Sequence, residues 1–217
     1  MTNDLRTPVR GVVALGLALG ISACSSAVRQ SSSAMVAGPT ATQQSKPAAL
    51  DRITEADIHF MSGMIPHHAQ AVLIAGWAPS HGASPELQRL CERIVVGQND
   101  EIALMQSWLK SKAQPVPASD ATHLTMKMEG MTHDMLMPGM LNAEELKQLD
   151  AARGKAFDRL FLMAMIKHHQ GAISMVDDLE AVGGSRQDET VFRFSQDVYA
   201  DQTTEIDRMQ KMLAAIK

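Results

Sequence analysis

The chain has 217 residues, which suits one domain of ordinary size with additional segments. Its net charge is −4, so it lacks the basic surface that binding to nucleic acid requires. Aromatic residues make up only 4% of the chain, whereas methionine is abundant at 16 residues. Beyond the N-terminus, no stretch is long and apolar enough to predict a membrane-spanning helix.

Residues 1–23 have the pattern of a bacterial lipoprotein signal peptide. Two arginines precede a short apolar stretch that ends in Ile-Ser-Ala-Cys, which resembles a lipobox. We therefore expect cleavage before Cys24, lipidation of its thiol, and a flexible tether over residues 24–50. The alternative is an ordinary signal peptide followed by a chance cysteine. The lipid would attach the chain to the cell envelope, facing the periplasm, with the outer membrane as one destination.

Residues 51–217 are predicted to form one helical domain, because no stretch there shows the alternating, β-branched pattern of a strand. An internal repeat divides this domain into a hairpin at 54–112, a connector at 113–141 and a second hairpin at 142–217. Each copy has a His-His pair on its first helix and Gln-x-x-Glu-Ile-x-x-Met on its second. Four amphipathic helices in two hairpins predict an all-α four-helix bundle.

Helix boundary signals support this division. The predicted N-caps are Thr54, Ser84, Asn142 and Ser185. Glycines at 76–82 and at 183–184 are expected to end the first helix of each hairpin. Pro66 lies inside the first helix and is expected to kink or restart it. Cys91 falls on an apolar helical stripe and is predicted to be a small buried core residue.

The helical faces place polar groups where a bundle normally has leucine. Both histidines of each pair lie at the edges of an apolar face, one turn after a methionine, and a Gln and a Glu interrupt the stripe of each second helix. A buried carboxylate needs a partner, and histidine, aspartate or a metal ion could serve. The alternative is a buried polar network that only fixes helix register. The candidate metal ligands are His67, His68, His168, His169, Met64, Met165, Glu101, Glu205, Met105 and Met209, and the candidate polar support is Asp57, Asp158, Gln98 and Gln202.

The connector contains Met-x-Met-x-Gly-Met twice, together with two histidines. These methionines do not follow a helical core period, and thioether sulfur is a soft ligand that selects Cu(I). The alternative is an adaptable apolar lid over the bundle. The candidate ligands here are Met126, Met128, Met131, His133, Met135, Met137 and Met140.

The paired Met-Ile-x-His-His-x-x-Ala segments, the paired Gln-x-x-Glu-Ile-x-x-Met segments and the Gly-Met-Leu entry to the second copy resemble the domain-of-unknown-function 305 family. The resemblance covers about residues 54–215. It implies a ferritin-like four-helix bundle of secreted or envelope proteins, several of them linked with copper. The functional residues that it implies are His67, His68, Glu101, His168, His169 and Glu205, with Met64, Met105, Met165 and Met209 nearby.

Together, these patterns predict a copper-binding envelope protein that sequesters copper, confers tolerance or passes the metal on. Cu(I) is the favoured ion and Cu(II) the alternative. The expected partners are the membrane, through the lipid, and a copper-handling protein or a second copy of the chain. One competing hypothesis is a ferritin-like metal-dependent oxidase, although its usual Glu-x-x-His pairs are missing from the predicted helices. Another is a structural or interaction lipoprotein with a purely architectural polar core.

Overall fold

The computed structural model describes residues 53–128, 131–182 and 188–216, and the side chains of 125–133 are not among those described. The predicted signal peptide, Cys24 and the tether therefore lie outside the described residues. The elements are α1 Glu55–Ala75, α2 Pro85–Ser111, β1 Leu124–Met128, β2 Met131–Met135, α3 Ala143–Ala151, α4 Lys155–Ala181 and α5 Glu189–Ala215.

Four long helices form the body of the domain. Helix α1 packs on α2 and α4 packs on α5, and the two hairpins meet through α1 and α4. The short helix α3 packs against α4. The predicted all-α four-helix bundle of two helical hairpins is thereby confirmed. Among the described helices, none combines the length and apolar character needed to cross a bilayer.

Side-chain caps explain where most helices start. Thr54 forms a capping box with Asp57, Asn142 forms one with Glu145, and Ser84 caps α2 ahead of a proline, all as predicted. The predicted last cap, Ser185, lies outside the described residues, and α5 begins at Glu189. Asp188 caps α5, because its carboxylate accepts hydrogen bonds from the first free backbone amides of the helix.

Helix α1 continues through Pro66 without restarting. Proline removes one backbone hydrogen bond, but Pro66 and its neighbours Ile65 and His67 are all buried against other elements. Burial of these residues stabilises the helical path through the position, because packing supplies most of the stability of helices in proteins.

The expectation of no strand was wrong for the connector. Strands β1 and β2 pair in antiparallel fashion, with Met126 opposite His133 and Met128 opposite Met131 in Cα register. The sequence Leu-Thr-Met-Lys-Met does alternate between apolar and polar residues, as a strand requires. The segment has a single β-branched residue, so its intrinsic preference for a strand is weak.

The buried apolar residues fall into two clusters. One contains Phe60, Met64, Met105 and Phe194, and the other contains Ile74, Cys91, Phe157, Met165 and Met209. Each long helix contributes to both clusters, so the division crosses the bundle near the middle of its helices. As predicted, Cys91 is a free, buried thiol, and burial raises its pKa to about 12.

Candidate metal centre

A layer of polar side chains lies where the two apolar clusters meet. We call it the polar layer, and it consists of His67, His68, Gln70, Gln98, Glu101, His168, His169, Gln202 and Glu205. All four imidazoles are at most 1% exposed. The repeat explains this arrangement, because equivalent positions on two similar hairpins meet at the same height in the bundle.

Each hairpin pairs one histidine with one glutamate. Nε2 of His169 hydrogen-bonds to Oε2 of Glu205 at 2.6 Å. Nε2 of His68 lies 2.7 Å from Oε2 of Glu101, but this close contact lacks the alignment of a hydrogen bond. Both histidines are fully buried, whereas the glutamate side chains are 22% and 26% exposed. Each carboxylate therefore links a buried imidazole to solvent.

The other two histidines meet across the hairpins. The ring centroids of His67 and His168 are 3.8 Å apart, with the ring planes tilted by 37°. Burial, reinforced by the neighbouring histidines, holds the pKa of both rings well below the usual 6.5. These two imidazoles are therefore neutral at physiological pH, and neutral imidazole is the form that ligates metals.

Several ring nitrogens in the layer have no hydrogen-bond partner among the described residues. They are Nδ1 of all four histidines and Nε2 of His68 and His168. A buried polar atom without a partner costs about 1–3 kcal/mol, so such atoms call for an explanation. Unprotonated imidazole nitrogens are suitable metal ligands.

The polar layer opens to solvent through a cleft between α2 and α5, with a volume of about 330 Å³. The amide oxygens of Gln98 and Gln202 are buried at its wall and lack partners among the described residues. Its remaining polar lining is Arg93, Glu101, Asp201, Thr204, Glu205 and Arg208. Burial, together with the charges of Glu101, Glu205 and Asp197, raises the pKa of Asp201. The cleft thus places three carboxylates and two guanidinium groups beside the two His–Glu pairs.

The end of the connector covers the opposite side of the layer, where α1 meets α4. We call residues 137–141 the strap. The Pro138 carbonyl oxygen lies 3.1 Å from Nε2 of His67, and both polar atoms of the Gln70 side chain hydrogen-bond to the backbone of Leu141. Gly139 has a φ of +78°, and a Cβ there would lie 2.6 Å from the Lys167 carbonyl oxygen. The strap therefore packs backbone against backbone.

The connector methionines have different surroundings. Met137 and Met140 are 7% and 5% exposed, and the Met140 sulfur accepts a hydrogen bond from the Met137 amide at 3.2 Å. Met135 is 41% exposed and lines an apolar groove of about 480 Å³ with Met137 and Met175. The side chains of Met126, Met128, Met131 and His133 lie outside the described part.

The remaining predicted residues lie away from the four histidines or inside the apolar clusters. Asp57 belongs to the cap of α1, and Asp158 accepts from the Ser84 amide at 3.2 Å; each lies about three helical turns before its His-His pair. The bundle methionines Met64, Met105, Met165 and Met209 are fully buried. Within the described residues, no three His, Cys, Asp or Glu side chains surround a common metal position.

Gln70 of the polar layer and Pro138 beside it were not predicted from the sequence. The signal lay in a difference between the repeats, because the position equivalent to Gln70 in the second copy is Gly171. The connector occurs once, so its crossing over α1 and α4 must break the symmetry of the two copies. A Cβ on Gly171 would lie 2.0 Å from the Pro138 carbonyl oxygen, which explains the glycine.

The fold and this layer define a helical bundle with a buried histidine centre, built from two similar hairpins. Residues 57–213 match the family described as Domain of unknown function (DUF305), and the chain belongs to that family.

Solved structures support the assignment. A DUF305 protein from Streptomyces coelicolor that is described as secreted is 30% identical, with a TM-score of 0.58, and the match covers 73% of this chain and 92% of that one. A DUF305 fragment from Deinococcus radiodurans is 26% identical, with a TM-score of 0.60 and coverages of 75% and 97%. CopM in its Cu(I)-bound form is 29% identical, with a TM-score of 0.53 and coverages of 72% and 94%.

Among curated proteins, the uncharacterized protein L153 of Acanthamoeba polyphaga mimivirus is 32% identical over 56 residues. That match spans 26% of this chain and 37% of the length of L153.

Proposed function

We propose that this chain binds copper in the bacterial cell envelope, for sequestration, tolerance or transfer of the metal. The observation that carries the proposal is the set of buried imidazole nitrogens without partners among the described residues. Leaving them unsatisfied destabilises the fold, so a layer that repeats them in both hairpins favours a ligand over a purely architectural role.

The similarity to CopM supports copper as the ligand. CopM has been solved in Cu(I)-bound, Cu(II)-bound and silver-bound forms, which are 29%, 28% and 27% identical to this chain. Silver(I) and Cu(I) are both soft monovalent ions that prefer sulfur and imidazole ligands. The methionines Met64 and Met165 lie one helical turn before the histidine pairs, and we propose them as sulfur ligands.

The ligand chemistry favours Cu(I) over Cu(II). His67 and His168 are held neutral by burial, and thioether sulfur is uncharged, so a monovalent ion would bring little charge into the interior. We propose that Glu101 and Glu205 receive the ion at the cleft, because their carboxylates are partly exposed there and touch the buried His68 and His169. Cu(II), a harder ion, would be held nearer these oxygens.

The connector is proposed as a second group of ligands. The register of β1 and β2 sets methionine opposite histidine at 126 and 133, and methionine opposite methionine at 128 and 131. The strap then joins this hairpin to the polar layer through the contact between Pro138 and His67. Copper bound by the hairpin would therefore lie next to the strap along the chain, and the strap covers the buried centre.

The proposed location rests on the N-terminal sequence and on the DUF305 protein from Streptomyces coelicolor that is described as secreted. Lipidation at Cys24 would attach the bundle to a membrane through the tether at 24–50. Labelling of growing cells with a fatty-acid analogue tests this. We expect label on the parent chain and none on Cys24→Ser, and an unlabelled parent would exclude the anchor.

An anaerobic titration with Cu(I) against a competing chelator tests the metal-binding proposal. The full chain is compared with a bundle variant, in which the four histidines of the layer are changed to alanine, and a connector variant, in which the six connector methionines are changed to leucine. His59→Ala is the matched control, because His59 is an exposed histidine of α1 outside the layer.

We expect the parent and the control to compete for Cu(I), the bundle variant to lose the tighter binding, and the connector variant to bind fewer ions. Circular dichroism checks that each variant remains helical. A parent chain that does not compete for Cu(I) would overturn the proposal. A bundle variant that binds Cu(I) as tightly as the parent would show that the polar layer is not the binding site.

A further inference from the structure

The strap crosses the bundle closer than side chains would allow. Backbone atoms of Pro138 and Gly139 approach α4 at Gly171, where an added Cβ would lie 2.0 Å from the Pro138 carbonyl oxygen. On α1, Met137 rests against Gly63, where a Cβ would lie 2.7 Å from the end of that side chain. The path of the strap is therefore tightly confined between the two helices that present His67 and His168.

Gln70 holds the strap in place. Its side chain is fully buried, its Oε1 accepts from the Leu141 amide at 2.7 Å, and its Nε2 donates to the Leu141 carbonyl at 2.9 Å. This side chain satisfies both backbone groups of a residue that lies outside any helix or strand. The clamp fixes the strap three residues after Pro138.

The position of Pro138 decides which nitrogen of His67 carries hydrogen. A carbonyl oxygen can only accept, so at 3.1 Å the Nε2 atom of His67 must donate. In a neutral imidazole, Nδ1 is then unprotonated and has a free lone pair. That Nδ1 atom is buried and has no partner among the described residues.

We infer that Gln70 is a positioning residue, which acts through the strap to hold His67 in the tautomer with a free Nδ1 lone pair. A backbone carbonyl that accepts from the distal nitrogen of a histidine is one of the common means of fixing a ligating imidazole. The ligand role of His67 rests on the proposed function, whereas the tautomer does not. The inference also explains why the two copies differ at this position. Gln70 in the first copy hydrogen-bonds to the strap, and Gly171 in the second copy leaves room for the strap to pass.

Long-range ¹H–¹⁵N NMR of the histidine rings in the metal-free full chain tests the inference, with His67 assigned by comparison with His67→Gln. We expect Nδ1 of His67 to have the shift of an unprotonated nitrogen and Nε2 that of a protonated one. In Gln70→Leu, which keeps a similar volume but removes both hydrogen bonds, we expect the His67 signals to move toward a mixture of tautomers. The signals of His169 should stay unchanged, because its partner is Glu205.

Gln170→Leu is the matched control, because Gln170 is the residue after His169 but is exposed on α4. It should leave every histidine signal in place. Gly171→Ala keeps Gln70 but displaces Pro138, so it should reproduce the tautomer change. A protonated Nδ1 on His67 in the parent would overturn the inference, even if neither variant folds. Unchanged His67 signals in a folded Gln70→Leu chain would also overturn it.

Cu(I) affinity separates this inference from the proposed function. Loss of a group that orients a ligand typically weakens metal binding about 10- to 100-fold, and we expect Gln70→Leu to show a loss of that size. A parent that binds no Cu(I) would reject the proposed function and leave the tautomer result standing. A parent and a Gln70→Leu chain that bind Cu(I) equally would reject the positioning role and leave the proposed function standing.

Discussion

The close contact between the strap and α4 predicts that one methyl group added at Gly171 destabilises the folded chain substantially. In Gly171→Ala, the new Cβ would lie 2.0 Å from the Pro138 carbonyl oxygen and 2.4 Å from its carbon, whereas ordinary contacts are 3.4–4 Å. The obstructing atoms belong to the backbone, so they cannot rotate away as the end of a side chain could. The strap must therefore move by well over an ångström.

The expected cost follows from three terms. Overpacking of a tight contact costs about 1–3 kcal/mol, and weakening the hydrogen bond of Pro138 and one of the two hydrogen bonds of Leu141 costs about 1 kcal/mol each. Replacing glycine by alanine inside a helix stabilises the folded chain by about 1 kcal/mol. We expect a net loss of about 2–4 kcal/mol, or a fall in Tm of about 5–15 °C for a chain of this size.

Urea and thermal unfolding of the metal-free full chain, followed by far-UV circular dichroism, measure this loss. Gly97→Ala is the matched control, because Gly97 also lies inside a long helix but a Cβ there meets nothing within 4 Å. It should stabilise the chain by about 1 kcal/mol. If Gly171→Ala proved as stable as Gly97→Ala, the close approach of the strap to α4 would be refuted.

Two further predictions concern protonation. The pKa of His67 and His168 is held well below 6.5 by burial, so below about pH 6.5 the unfolded chain binds protons that the folded chain does not. Stability present at neutral pH is therefore lost as the pH falls, by up to about 1.4 kcal/mol per pH unit for each histidine, and urea midpoints at about pH 7.5 and 5.5 measure it. The stability of His168→Gln should depend less steeply on pH than that of the parent, and equal slopes would contradict the lowered pKa of His168. Burial raises the pKa of Cys91 to about 12, so in a Cys24→Ser chain a thiol reagent at about pH 8 should react slowly with the native protein and rapidly in urea. Fast labelling of the native chain would show that this thiol is accessible.

Much of the fold follows from local patterns in the sequence. The capping boxes at Thr54 and Asn142 and the start of α2 at Ser84 depend on neighbouring residues only, so the sequence was sufficient to predict them. Asp188 is different, because it also accepts from the indole of Trp108 at 3.0 Å and pairs with Lys112 at 2.7 Å. These contacts with α2 come from tertiary structure, so local sequence alone could not select Asp188 as the cap.

The candidate site also combines features that local sequence predicts with contacts that arise only from tertiary structure. The helical period predicted that the histidines and the Gln and Glu residues share the buried face. The histidines and glutamines are buried, whereas Glu101 and Glu205 lie at the edge of that face, with side chains 22% and 26% exposed. The contact between Gln70 and the strap joins residues 71 positions apart. Helical periodicity carries no information about such a connection, so Gln70 and Pro138 became visible only in the folded chain.

X-ray absorption at the copper edge, with one equivalent of Cu(I) bound to the full chain, tests whether the ion lies among the buried histidines. If the buried histidine layer holds the metal, the first shell of the parent should show the scattering of imidazole rings, and the chain with the four layer histidines changed to alanine should lose it. A first shell of sulfur alone, identical in the parent and in that variant, would contradict the claim that the buried histidine layer holds the metal.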